Sequence, residues 1–99
     1  MSPKLRAKAF RDIELLQSLG SKLEEPYVKH IKGKQNQGLL ELRIKFAHDI
    51  ARIFYFTYYN NTFVLLHGFI KKTMKTPERE LIKARRYMND YKRRKEHEQ

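Results

Sequence analysis

The chain has 99 residues, with 22 Lys and Arg against 11 Asp and Glu, so its formal net charge is +11. That length excludes a multidomain enzyme, since one domain usually needs roughly 100–150 residues. At 40% hydrophobic residues the chain is too apolar for a disordered basic tail. There is no cysteine, so disulfide scaffolds and Cys-based zinc modules are excluded and a reducing cytoplasm is the expected setting. The uncharged run 53–70 contains Tyr, Thr, Asn, His and Gly with a turn in its middle, which argues against a transmembrane helix. No apolar segment ahead of a small-residue cleavage site marks a signal peptide.

The cations are spread along the chain. Residues 1–70 hold eleven cations and six acids, and residues 71–99 hold eleven and five. An excess of this size calls for a polyanion, with nucleic acid first and an anionic membrane surface second.

Ser2-Pro3 has the form of an N-cap followed by proline at the first helical position. Leu5, Ala9, Ile13 and Leu16 then recur at helical spacing, with Leu15 and Leu19 widening the stripe. Gly20 is the expected stop, so a helix is predicted over 3–19, with Lys4, Arg6, Lys8 and Arg11 on its outer face. Residues 20–38 are rich in Gly, Lys, Gln and Asn and read as a loop, tacked down by Tyr27, Val28 and Ile31 and mobile over 32–38.

Three strands follow. In 39–46, Leu40, Leu42, Ile44 and Phe46 alternate with Glu41, Arg43 and Lys45. The second strand covers 50–58 and the third 63–71. Asn60-Asn61 suits a two-residue hairpin turn, and His48-Asp49 serves the first hairpin in the same way. Thr76-Pro77 opens a second helix over 77–94, again as cap plus proline. Its stripe is Leu81, Ala84, Met88 and Tyr91, with Ile82 beside it, and its end is basic and frayed. The expected fold is a single α+β domain over residues 1–99, a small antiparallel sheet with one helix before it and one after, in two layers.

Hairpin register decides which side chains share a face. The Asn60-Asn61 turn sets Phe54 opposite His67 and Arg52 opposite Phe69. The His48-Asp49 turn sets Lys45 opposite Arg52 and Arg43 opposite Phe54. One face then collects Leu40, Leu42, Ile44, Ile53, Tyr55, Val64, Leu66 and Ile70 for the helices to cover. The other collects Arg43, Lys45, Arg52, Phe54, Phe56, Leu65, His67, Phe69 and Lys71. A three-residue first loop would bury two unpaired cations, which favours the even one. Cations hold phosphates and rings stack on unpaired bases, so this face suits single-stranded nucleic acid. Lys71, Lys72 and Lys75 read either as a solvated loop or, more sharply, as a phosphate clamp ahead of the second helix.

Other chemistry has little support. No HExxH, Gly-rich phosphate loop or nucleophile motif is present, and no cofactor or metal is expected. A nuclease of cations and one imidazole needs no metal. It activates the RNA 2′-hydroxyl towards the adjacent phosphate, stabilises the added negative charge and protonates the leaving oxygen.

The stretches Glu25-Pro26-Tyr27-Val28-Lys29-His30, Leu40-Glu41-Leu42-Arg43-Ile44-Lys45-Phe46 and Asp49-Ile50-Ala51-Arg52-Ile53-Phe54-Tyr55 resemble the HigB-like branch of the RelE/ParE toxin superfamily. So do Val64-Leu65-Leu66-His67-Gly68-Phe69-Ile70-Lys71-Lys72-Thr73 and Lys75-Thr76-Pro77-Glu78-Arg79-Glu80. The resemblance implies a type II toxin that cuts ribosome-bound mRNA without metal or cofactor. It also implies a helix-turn-helix, HigA-like antitoxin as partner, and a homodimer or toxin–antitoxin hetero-oligomer. It puts Arg43, Arg52, His67, Lys71 and Lys72 in the catalytic site, with Lys45, Phe54, Phe69 and Lys75 on the RNA. Alternatives are a ParE-like inhibitor of DNA gyrase and a non-catalytic RNA- or ribosome-binding module. Such toxins normally begin with a strand that this sequence lacks, so the 39–46 strand is expected to have an unpaired edge.

Overall fold

The computed structural model describes residues 2–59, 62–71 and 75–98. Helix α1 spans Pro3–Leu19. Strands β1 (Val28–His30), β2 (Leu40–Phe46), β3 (Asp49–Tyr58) and β4 (Thr62–Ile70) form one antiparallel sheet in that spatial order. Helix α2 spans Glu78–His97. This is the α+β architecture of the sequence reading, with one more strand. No described helix is long and apolar enough to cross a membrane.

The start of α1 follows its sequence signals. The Ser2 hydroxyl accepts a hydrogen bond from the Leu5 amide at 3.1 Å, and Pro3 fills the first turn, where no amide partner is needed. Gly20 ends the helix at φ 57, a backbone conformation that costs glycine little. Leu5, Ala9 and Leu16 are buried against Leu42, Ile44, Ala51 and Tyr55. Asp12 is buried on the same helix and holds Lys8 at 2.7 Å.

The expected two layers are in fact three. Helix α1 covers one sheet face, while α2 lays Leu81, Ala84 and Met88 on the other, against Phe54 and Phe56. The reason is in β3, whose run Phe54-Tyr55-Phe56 is buried on both sides. A strand that is apolar at consecutive positions needs cover on both faces. The face that carries the cations is therefore partly roofed by α2.

The first hairpin turns at Ala47-His48, because Phe46 pairs with Asp49. Ala47 has φ 55, giving the turn a left-handed first residue that suits strand twist. The register is two residues from the expected one, and Arg43 faces Arg52 directly. A shift of two keeps every side chain on its face. In the second hairpin, Phe54 pairs with His67 and Arg52 with Phe69, as expected. A bulge then moves the register, so that Tyr55 pairs with Leu65. Past this bulge, Val64 and Leu66 pack with α2 and Phe63 packs with α1. Leu65, expected beside the cations, lies opposite Tyr55 instead. The expected Asn60-Asn61 turn lies outside the described residues.

Residues 20–38 hold more structure than a loop. β1 pairs with Leu40–Leu42, and the Tyr27 carbonyl accepts from the Arg43 amide at 2.7 Å. The expected unpaired edge of β2 is thus covered through Arg43. Asn36 is buried, bonds the Lys32 carbonyl through Nδ2, and accepts from Arg85 of α2 at 2.6 Å. The 32–38 run is therefore anchored at Asn36. Pro77, not Thr76, occupies the cap position of α2. Ile82, expected beside the buried stripe, is 44% exposed.

Leu42 is fully buried at the centre of the α1 layer. Leu42→Ala should lower the unfolding free energy by about 2–5 kcal/mol. Leu65→Ala, at an exposed position, should change it by less than about 0.5 kcal/mol. Urea denaturation of the two variants distinguishes these outcomes.

Candidate functional site

The roofed face has an open end, built from the hairpin end of β2 and β3 and the last residue of β4. Alternation puts Glu41, Arg43 and Lys45 of β2 on this face with Ile50, Arg52 and Phe54 of β3. Lys71 follows β4 and donates its amide to the Ile50 carbonyl at 2.7 Å. Two like charges facing each other across a ladder, Arg43 and Arg52, are destabilising without a counter-charge. Glu41 supplies it. Its Oε1 lies 3.0 Å from Arg52 Nε, and the two side chains are 1% and 5% exposed.

The Glu41–Arg52 pair anchors a small network. Thr76 donates its hydroxyl to Glu41 Oε2 at 3.3 Å and accepts from Lys71 Nζ at 3.3 Å. The hydroxyl expected to cap α2 instead ties the lead-in of that helix to β2. Arg52 is not satisfied by this network. Its Nε and Nη1 are buried and have no aligned hydrogen-bond partner. Burial works against the Arg52 charge and holds its pKa below the ordinary value. Glu41 opposes that shift and nearby Arg43 adds to it. The guanidinium still remains charged at any ordinary pH.

Lys71 is shifted in the same direction. Burial is the largest cause, followed by the positive charge of Arg52, with Glu41 opposing and Lys29 and Arg43 adding. A lysine moved down from its ordinary value gives up its proton more readily than a free one.

Two cavities open beside this network. One of about 240 Å³ is lined by Lys8, Pro26, Tyr27, Arg43, Lys45, Ile50 and Arg52. The other, of about 260 Å³, is lined by Lys29, Ile31, Lys32, Lys71, Lys75 and Thr76. Arg52 reaches the first and Lys71 the second. The structure thus brings Arg43, Lys45, Arg52, Lys71 and Lys75 to one region. Lys72 lies outside the described residues. Among the described residues, no group of three or more His, Asp and Glu side chains has a metal-binding arrangement.

His67 has a different setting. Its Nε2 bonds Glu80 Oε2 of α2, its ring stacks on Phe69 at 6.0 Å, and the Tyr87 ring is 6.2 Å away. It is pinned under the helix. Phe54 is fully buried and Phe69 packs on it at 5.4 Å, so the expectation that Phe54 stacks on a base is corrected. Burial by α2 is the reason, and Phe69 is left half-buried at the border.

Sequence reasoning missed Glu41, Glu80, Tyr27 and Lys29. Glu41 had a readable signal, because it shares the alternation phase of Arg43 and Lys45. Nothing local signals the Glu80–His67 contact, which joins residues 13 apart across two elements.

The hydrogen bond from His67 holds the Glu80 carboxyl below its ordinary value of 4.5, with His67, Lys83 and Arg79 charges adding and burial opposing. A depressed carboxylate stabilises the fold above the unfolded-state value and loses that contribution as pH falls through the folded one. Wild type should therefore exceed Glu80→Gln in urea midpoint on the neutral side of 4.5, and the gap should close as the pH falls below it. A gap independent of pH across that range would contradict the assignment.

The family model "Phage derived protein Gp49-like (DUF891)" matches residues 1–89. No curated protein matches the chain at a significant level.

Proposed function

The chain belongs to the phage-derived Gp49-like family, a toxin-like family of HigB/RelE type, and from that premise we propose a type II toxin that cleaves ribosome-bound mRNA. The reading takes the 99 residues as one toxin domain of the HigB-like kind, acting in the cytoplasm. The observation that carries it is the crowding of Arg43, Arg52 and Lys71 around buried Glu41, with a lowered lysine among them.

Metal-independent RNA cleavage needs three things of a protein. A base takes the proton of the 2′-hydroxyl as its oxygen bonds to phosphorus. Cations stabilise the extra negative charge on the non-bridging oxygens. An acid protonates the 5′-oxygen as its bond to phosphorus breaks. Arg43 and Arg52 are assigned to the charge. Lys71 is assigned to proton transfer, with Lys72 beside it in sequence. Lys45 and Lys75 attract the flanking backbone. His67 is assigned to holding α2 on the sheet through Glu80, rather than to the reacting atoms.

The formal charge of +11 fits attraction to ribosomal RNA at large and an antitoxin with an acidic surface. A helix-turn-helix antitoxin is the proposed partner.

Induction in cells, followed by mapping of mRNA 5′ ends and assay of DNA supercoiling, tests this reading. New ends within translated messages should appear while supercoiling stays normal. Arg43→Ala and Lys71→Ala, each at a half-buried position, should lower cleavage by about 10²-fold or more. Blocked supercoiling with intact mRNA would point to gyrase inhibition, and RNA binding without either effect to a non-catalytic module.

A further inference from the structure

We propose that the cavity lined by Tyr27, Arg43 and Arg52 seats one unpaired nucleotide of the RNA, with its base against Tyr27 and Pro26 and its phosphate on the two arginines. This deepens the RNA reading above and rests on it.

The first support is Arg52. Its side chain is 5% exposed, it lines this cavity, and its Nε and Nη1 lack aligned hydrogen-bond partners. Buried donors are nearly always satisfied, and this guanidinium, ion-paired with Glu41 through Nε at 3.0 Å, still has donors to offer an anion that enters the cavity. Arg43 stands directly opposite on the neighbouring strand, so an anion placed there meets two cations while Glu41 already balances one of them. A phosphodiester has the charge and the several acceptor oxygens that this pair requires.

The second support is independent of charge. An anion site needs no apolar wall, yet Pro26, Tyr27 and Ile50 line this cavity. Tyr27 is 40% exposed, so part of its ring is available. Its backbone is fixed, because its carbonyl accepts from the Arg43 amide at 2.7 Å. Ring and guanidinium are thus built from adjacent backbone, which sets a base-sized slot beside a phosphate-sized one. Stacking on an aromatic ring next to a cationic groove is the usual way to hold a single-stranded base.

Size limits the occupant. At about 240 Å³ the cavity falls below the roughly 300 Å³ lower end of small-molecule sites, which limits the occupant to a single base with its phosphate rather than two stacked ones. Lys8 closes the α1 side, held at 2.7 Å by Asp12. Among the described residues, the neighbouring cavity lined by Lys29, Lys32, Lys71 and Lys75 has no aromatic wall. It suits the next phosphates of the same strand, not a second base.

The test uses the full chain and two probes, a single-stranded pentaadenylate RNA and an abasic ribose-phosphate strand of equal length. Fluorescence anisotropy gives the affinities. Wild type should bind the RNA more tightly than the abasic strand. Tyr27→Ala should weaken RNA binding roughly 5- to 150-fold and leave the abasic strand unchanged, while Tyr27→Phe should stay within about two-fold of wild type. Equal binding of RNA by wild type and Tyr27→Ala would overturn the seat and leave the RNA reading standing. Failure of wild type to bind either strand would overturn both. Wild-type protein photo-crosslinked to 4-thiouridine RNA gives a readout that needs no variant. An adduct at Tyr27 supports the seat, and adducts confined to other residues overturn it.

Discussion

A buried carboxylate–guanidinium contact is the constraint around which this protein is arranged. Glu41 on β2 and Arg52 on β3 lie almost wholly out of solvent, 3.0 Å apart. Removing either partner of such a pair leaves an uncompensated charge and typically costs about 3–5 kcal/mol, whereas a pair of apolar residues in the same space is often as stable or more so. The pair is thus a poor device for stability and a good one for holding a guanidinium still. Through Thr76 the same carboxylate fixes the lead-in to α2 and one contact of Lys71. One acid therefore positions two cations and a helix start.

The second constraint is the apolar run of β3. Because Phe54, Tyr55 and Phe56 are all buried, the sheet must be covered on both faces. Helix α2 covers the far end of the cation face, through Leu81, Ala84 and Met88, and is pinned there by the Glu80–His67 bond. The near end stays open, and the arginines and lysines surround the opening. Hydrophobic cover and cationic site share one face because they use different ends of it.

Much of this was legible in the chain. The 3.6-residue stripes of α1 and α2 and the alternation of β2 gave those elements within a few residues, since each has a polar side that contrasts with its apolar one. The cation face survived a wrong turn at the first hairpin, because a shift of two residues leaves alternation unchanged. The bulge in β4 was not legible. Val64, Leu65 and Leu66 are all aliphatic, so no polar residue marks which of them faces which helix. β1 is three residues long and has no alternation to read. Phe54 was misassigned because alternation identifies a face but does not say which part of that face a distant helix will cover. Glu41 was visible by phase beside Arg43 and Lys45, and its value emerged only once Arg52 was seen to be buried.

On the proposed reading, Arg52, held by Glu41 through Nε, offers its remaining donors to an RNA phosphate. Side-chain NMR of arginine-labelled protein tests this most directly. As a short single-stranded RNA is titrated in, the Arg52 Nε–H and Nη–H signals should shift and become protected from exchange in step with binding, with Arg43 following. RNA binding that leaves the Arg52 signals unmoved would contradict it.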